Sequence, residues 1–262
     1  MTSLVRLDVA DHIATITLDS PDNRNALSQQ LLAELDDALR GARDDGDVRA
    51  IVLTATGTTF CSGADLSGAT SAGSRAVPFV EILSMLWSYP KTVIARLNGH
   101  VRAGGFGLVA AADIVVAPTS ASFAFSEVRI GVAPALIAVL CQRRMTSRAA
   151  SRYLLTGEVF DAHAALDTGL VTIVVEPEQL DEATAQIVHA VRQTEPHAVK
   201  ATKGLLVDIP AMSVDDGLRR AEAISTALFG SPEAAEGIAA LKERRAAAWA
   251  TEAAGTRRTS TS

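Results

Sequence analysis

Two cysteines in 262 residues are too few to staple a fold. Cys61 and Cys141 belong to no CxxC or Cys/His cluster, which argues against a disulfide framework and a structural zinc, and no metal site is expected. Basic clusters are missing too: Arg143–Arg144, Arg244–Arg245 and Arg257–Arg258 are isolated doublets in a chain of formal net charge −6. Phosphate binding needs a concentrated positive face, so a nucleic-acid partner is not expected. No apolar run reaches the roughly 18 residues of a spanning helix, and no membrane partner is expected. The opening MTSLVRLDVADHIATI alternates and carries charges, unlike a signal peptide. Taken together, these absences leave a cytoplasmic location as the expectation. Neither GxGxxG nor GxxxxGK(S/T) occurs, which removes the dinucleotide fingerprint and the phosphate loop.

What is present is an ordinary globular balance, 48% hydrophobic and 21% charged. Residues 4–9 and 13–18 alternate in the strand sense around Asp11-His12, which predicts a hairpin. Ser28 reads as the N-cap of a helix carrying Leu31, Leu35 and Leu39 on one stripe and ending near Gly41. AIVLTA (50–55), KTVIARL (91–97) and DIVVA (113–117) are short apolar runs of the buried-strand kind, with ASFAF (121–125) and VTIVV (171–175) as further strands. Strand and helix alternate up to residue 175, which implies α/β architecture from crossover units. After residue 177 every segment is helical in period. The expected division is a core over 1–195, a helical region over 196–250 and a disordered tail over 251–262.

Four segments follow predicted strands, where α/β folds collect ligands: PDNRNAL (21–27), TFCSGADL (59–66), NGHVRAGGFGL (98–108) and SFAFSEVRIGVAP (122–134). Gly63 and Ala64 allow close approach to backbone N–H groups, or make a plain strand-to-helix turn with Asp65 as its cap. Cys61 lacks a His/Asn constellation and reads as a small buried thiol. Gly104 and Gly105 make either a tight turn or an oxyanion site at a helix start, where unpaired N–H groups favour negative charge. Glu127 sits among small and aromatic residues. Burial would raise its pKa toward acid/base use, whereas pairing with Arg129 would make it structural.

In this order and spacing the segments resemble the crotonase, or enoyl-CoA hydratase/isomerase, superfamily. The resemblance runs through RNAL (24–27), FCSGADL (60–66), NG…AGG…L…DI (98–114), FxFSEVRIG (123–131), TGEVFDA (156–162) and FGSPEAxEG (229–237). It implies a spiral of ββα units with a C-terminal helical region that builds trimers or hexamers. It also implies an acyl-CoA substrate, with coenzyme A part of that substrate and no separate cofactor. By the resemblance, the N–H groups of Ala64 and Gly104 would hold the thioester oxygen, and Glu127 would be the acid/base. Arg24, Ala26, Gly105 and the turn Ser62, Gly63, Asp65 and Leu66 would line the CoA path. The reaction implied is hydration of an enoyl-CoA, with Δ3,Δ2-isomerisation or non-catalytic acyl-CoA binding as alternatives. Two departures stand out. A hydratase of this family pairs two glutamates around a water, and the first position falls on Gly107. In addition, PALIAVL (134–140) replaces the family's PGxGGT. The GGxGL variant is similar to methylglutaconyl-CoA hydratase-like members, for which Arg102 and His100 would meet a distal carboxylate; a surface Arg and a capping His are the other reading.

Overall fold

The computed structural model describes residues 2–66 and 76–250; the tail expected at 251–262 lies outside them. The chain opens on the predicted hairpin, β1 (Val5–Ala10) against β2 (Ile13–Leu18), with Val5 opposite Leu18. Asp11 and His12 are left-handed, φ 48° and 67°, as a two-residue turn matched to strand twist requires. The Ser28 hydroxyl accepts from Leu31 N at 3.2 Å and starts α1 (Gln29–Asp44). The helix runs past Gly41, its expected end. Ala42 is buried and its carbonyl accepts from Lys91 Nζ at 2.7 Å, so packing outweighs the roughly 1 kcal/mol that a mid-helix glycine costs.

Three turns of one pattern follow. The first is β3 (Ala50–Ala55), β4 (Thr59–Cys61) and α2 (Phe79–Trp87). The second is β5 (Thr92–Arg96), β6 (His100–Arg102) and α3 (Gly105–Ala111). The third is β7 (Ile114–Pro118), β8 (Ser122–Ala124) and α4 (Ala135–Arg144). Then come α5 (Ser147–Thr156), β9 (Phe160–Asp161), α6 (Ala162–Asp167), β10 (Ile173–Val175) and α7 (Leu180–Arg192). The leading strand of each turn enters a six-stranded sheet ordered β1-β2-β3-β5-β7-β10, parallel from β2 onward. The second strand of each enters a four-stranded sheet ordered β4-β6-β8-β9. This is an α/β spiral of ββα units.

β3 is buried along its whole length because both its faces are covered. Ile51 and Leu53 face the main core with Leu31 and Leu35, while Ala50 and Val52 face Val191 of α7. The strands of the small sheet are only two or three residues long, too short for alternation to show. Aromatic packing holds that sheet: the rings of Phe106 and Phe125 stack at 3.7 Å, and those of Tyr153 and Phe160 at 3.9 Å.

Three helices end the described chain: α8 (Pro196–Asp208), α9 (Val214–Phe229) and α10 (Pro232–Glu243). The Lys203 ammonium anchors α8 to the large sheet, donating to Asp113 Oδ2 at 2.6 Å and Lys91 O at 3.1 Å. The same Asp113 oxygen accepts from Val93 N at 2.7 Å. Leu206, Leu218, Phe229 and Leu241 on these helices stand exposed. Among the described residues no helix is long and apolar enough to cross a membrane.

Candidate active site

The loops leaving β4, β6 and β8 converge. Ser62–Leu66 follows β4, Ala103–Gly104 follows β6, and a 3-10 turn, Ser126–Ile130, leads from β8 toward α4. With the first turn of α1 and the entry to α2 they line a cavity of about 480 Å³. The first two loops touch because side chains are missing. Gly63 has φ +93°, and a Cβ there would lie 2.6 Å from Ala103 Cβ and 3.0 Å from Gly104 N. A Cβ on Gly105 would lie 2.9 Å from the Cys61 carbonyl oxygen. Ala103 is itself left-handed at φ 46°, at a cost of about 1–2 kcal/mol for an L-residue. Leu27 N donates to Gly63 O at 2.8 Å and Ser62 N to Arg24 O at 3.1 Å, fastening the first loop to the RNAL segment.

This packing sets Ala64 and Gly104 together on the cavity wall. Among the described residues, neither of their N–H groups is given to a protein acceptor. α3 is only seven residues long, so these two N–H groups, more than a helix dipole, make the wall attractive to a negative oxygen.

Glu127 lines the same cavity. Its Oε2 is buried and, among the described residues, has no hydrogen-bond partner. Arg129 does not pair with it; the Arg129 Nε donates to Thr156 O at 3.2 Å. Burial therefore pushes the Glu127 carboxyl above the usual carboxylate range, offset in part by a backbone hydrogen bond of its own. A base must be ionised to accept a proton, so a reaction that used Glu127 as its base would slow as pH drops through this raised pKa. The acid limb of kcat/KM should lie above that of an ordinary glutamate and disappear from the residual activity of Glu127→Gln. A limb at the unshifted position would remove the link.

The remaining residues singled out from the sequence fall into two sets. Ser62 and Leu66 join Ala64, Gly104 and Glu127 in the cavity lining. Arg24, Ala26, Gly63, Asp65 and Gly105 are outside that lining, and Arg24, Gly63 and Gly105 make the backbone contacts just described. Arg102 and His100, expected either to meet a substrate carboxylate or to be a surface Arg and a capping His, are outside this lining and bond to the strand beside them. Arg102 Nη1 donates to Val101 O and Ser122 O, and Nη2 to the Ser122 hydroxyl at 2.8 Å. His100 Nδ1 accepts from Ser122 N at 3.2 Å. Both side chains tie β6 to β8. Cys61 is fully buried and its thiol pKa is pushed up to about 12 by burial, as befits an inert core thiol.

Gly107 proves to be walled in. A Cβ there would meet Leu83 Cδ2 at 2.8 Å and Ile137 Cγ2 at 3.1 Å, and both side chains are buried. The space beyond Gly107 is filled by hydrocarbon. Leu83 and α2 carried no sequence signal for this role, because the contact is made across three elements.

Fold and site together define a class: an α/β spiral that presents one buried carboxyl group and two bare N–H groups to a single cavity. Residues 8–252 match the family described as enoyl-CoA hydratase/isomerase, and the chain belongs to that family. A Thermus thermophilus protein carrying an enoyl-CoA hydratase name is 34% identical over 242 residues, covering 89% of this chain and 96% of its own. The (E)-benzylidenesuccinyl-CoA hydratase of Thauera aromatica is 31% identical over 94% of this chain and 98% of its own. The crystal structure of an enoyl-CoA hydratase from Mycobacterium smegmatis superposes with a TM-score of 0.88 at 31% identity, covering 95% of this chain and all of that one.

Proposed function

We propose that this protein is a hydro-lyase of the enoyl-CoA hydratase type that works with a single carboxyl group. The observation that carries the reading is the unpartnered Glu127 Oε2, buried in the same cavity as the bare N–H groups of Ala64 and Gly104. In this mechanism the Glu127 carboxylate takes a proton from water, and the hydroxide bonds to Cβ of a 2-enoyl thioester. The Cα–Cβ π electrons move through the carbonyl onto the thioester oxygen, where the two N–H groups stabilise the charge. The enolate then collapses and Cα takes the proton back from Glu127, so one water has been added and the enzyme is unchanged. One such donor is worth about 2.7–4 kcal/mol in comparable sites. The relatives' names, hydratases and a carnitinyl-CoA dehydratase from Salmonella arizonae 32% identical over 95% of the chain, support a hydro-lyase. The exposed Leu206, Leu218, Phe229 and Leu241 support assembly of the C-terminal helices with other copies as a trimer or hexamer.

The packing over Gly107 favours a second reading, Δ3,Δ2-enoyl-CoA isomerisation. There Glu127 carries a proton from Cα to Cγ and needs no carboxylate to share a water. Incubating 2-enoyl- and 3-enoyl-CoA in water enriched in oxygen-18 separates the two. Oxygen-18 in a 3-hydroxyacyl product is the expected result. Conversion of the 3-enoyl to the 2-enoyl thioester without label selects the isomerase, and tight binding with no turnover of either sinks both.

A further inference from the structure

Resting on Glu127 as the group that moves the proton, we infer that Gly157, assisted by Arg129, is a positioning residue for it. Bare backbone at Gly157 lets the end of α5 butt against the turn that carries Glu127, and so fixes where that carboxyl group stands. The TGEVFDA segment (156–162) lies outside the cavity lining, and the chemistry above gives it no part. Its local work is to end α5. Thr156 Oγ1 donates to Arg152 O at 2.8 Å and accepts from Glu158 N at 3.2 Å. Gly157 closes the helix with its N–H on Tyr153 O at 3.0 Å, left-handed at φ 60°. An asparagine can also end a helix in this way, so the turn alone does not demand glycine.

The demand comes from what lies beyond the turn. A Cβ on the buried Gly157 would lie 2.8 Å from Phe125 O, 3.1 Å from Val128 Cγ2 and 3.2 Å from Arg129 Cγ. These residues bracket Glu127 on both sides, and all rest on one spot of bare backbone. Arg129 adds a bond: its Nε donates to Thr156 O at 3.2 Å, at the helix end where carbonyls lack intrahelical partners. From the other side, the Phe125 ring is stacked on Phe106 of α3, which follows Gly104 by two residues. The Glu127 turn is thus clamped between α5 and the helix that begins beside Gly104. Moving the turn off α5 changes the separation between the Glu127 carboxyl and the N–H pair, and catalysis is steep in such displacements.

The test measures turnover of whichever thioester, 2-enoyl or 3-enoyl, the enzyme converts. Gly157→Ala should push the Phe125 carbonyl away by roughly half an ångström. The expected result is a kcat about 10–100-fold lower with KM changed only a few-fold. In the Glu127→Gln background the same change should cost about threefold at most, because no proton carrier remains to be misplaced. Gly169→Ala is the matched control. It has φ +87° and a Cβ 2.6 Å from Arg144 O, at the end of α4 away from the cavity. It carries comparable strain and should keep the wild-type kcat when assayed well below its Tm. If Gly157→Ala does not fold, Arg129→Ala decides: kcat should fall several-fold and recover in Arg129→Lys, which can still donate to Thr156 O. Wild-type kcat in the folded Gly157→Ala, equal losses in both backgrounds, or wild-type kcat in Arg129→Ala where it decides, overturns the inference and leaves Glu127 in its role. Full turnover by Glu127→Gln alone removes that role and the inference with it.

Discussion

Replacing Glu127 by glutamine should lower kcat about a thousandfold while changing acyl-CoA affinity only a few-fold. Glutamine keeps the shape that lines the cavity and removes the one carboxylate among the described lining residues, a loss in the usual range for a general acid/base. Stability should move the opposite way. The folded-state pKa of Glu127 is raised by burial, so its ionised form is disfavoured in the native protein. Its favourable contribution is fully present below the unfolded-state pKa and is lost as pH rises through the folded value. Glu127→Gln should consequently raise Tm near neutrality and give little gain in acid, a comparison that thermal scans at two pH values make directly. A variant that retained full turnover would remove Glu127 from the chemistry.

Gly63→Ala should be nearly as damaging to turnover, by a different route. At φ +93° an added methyl group is strained whatever the space, and here it would also lie 2.6 Å from Ala103 Cβ and 3.0 Å from Gly104 N. Those neighbours are backbone or directly attached to it, so relief means separating the loop that carries Ala64 from the one that carries Gly104. A displaced donor pair should reduce kcat/KM by about 10²–10³. The strained turn should also cost about 2–3 kcal/mol of stability, read as a drop in Tm. Assays well below the lowered Tm, with folding checked by circular dichroism, separate the two effects. Full activity in the folded variant would show that the two N–H groups do not act as a pair.

Much of this architecture could be read from residue order. The hairpin, the Ser28 cap and strands β3, β5, β7 and β10 of the large sheet each carried a local signal, because turn chemistry, capping and continuous burial are properties of adjacent residues. Local pattern only marked Ala64, Gly104 and Glu127, leaving a plain turn or a structural ion pair open at each, and it was the family resemblance that named them as site residues. The small sheet was far less legible, since strands of two or three residues show no period. The fates of Arg102 and His100 were hidden for another reason. Whether a polar side chain faces a cavity or a neighbouring strand depends on β6–β8 pairing, and Ser122, which captures both, lies twenty residues from one and twenty-two from the other. The end of α1 was misread because the helix is held by Lys91, nearly fifty residues away.

The hydrocarbon packed over Gly107 also bears on what this protein can become. A glycine codon lies one nucleotide from a glutamate codon, so a second carboxyl group looks a single step away. Leu83 and Ile137 weigh against it: a Cβ there would meet Leu83 Cδ2 at 2.8 Å and Ile137 Cγ2 at 3.1 Å, so these side chains would have to give before a longer one could extend. A second carboxyl group at this position therefore calls for a shift or a smaller residue at Leu83 or Ile137 as well. The packing of α2 and α4 thus bears on position 107 as much as the codon does.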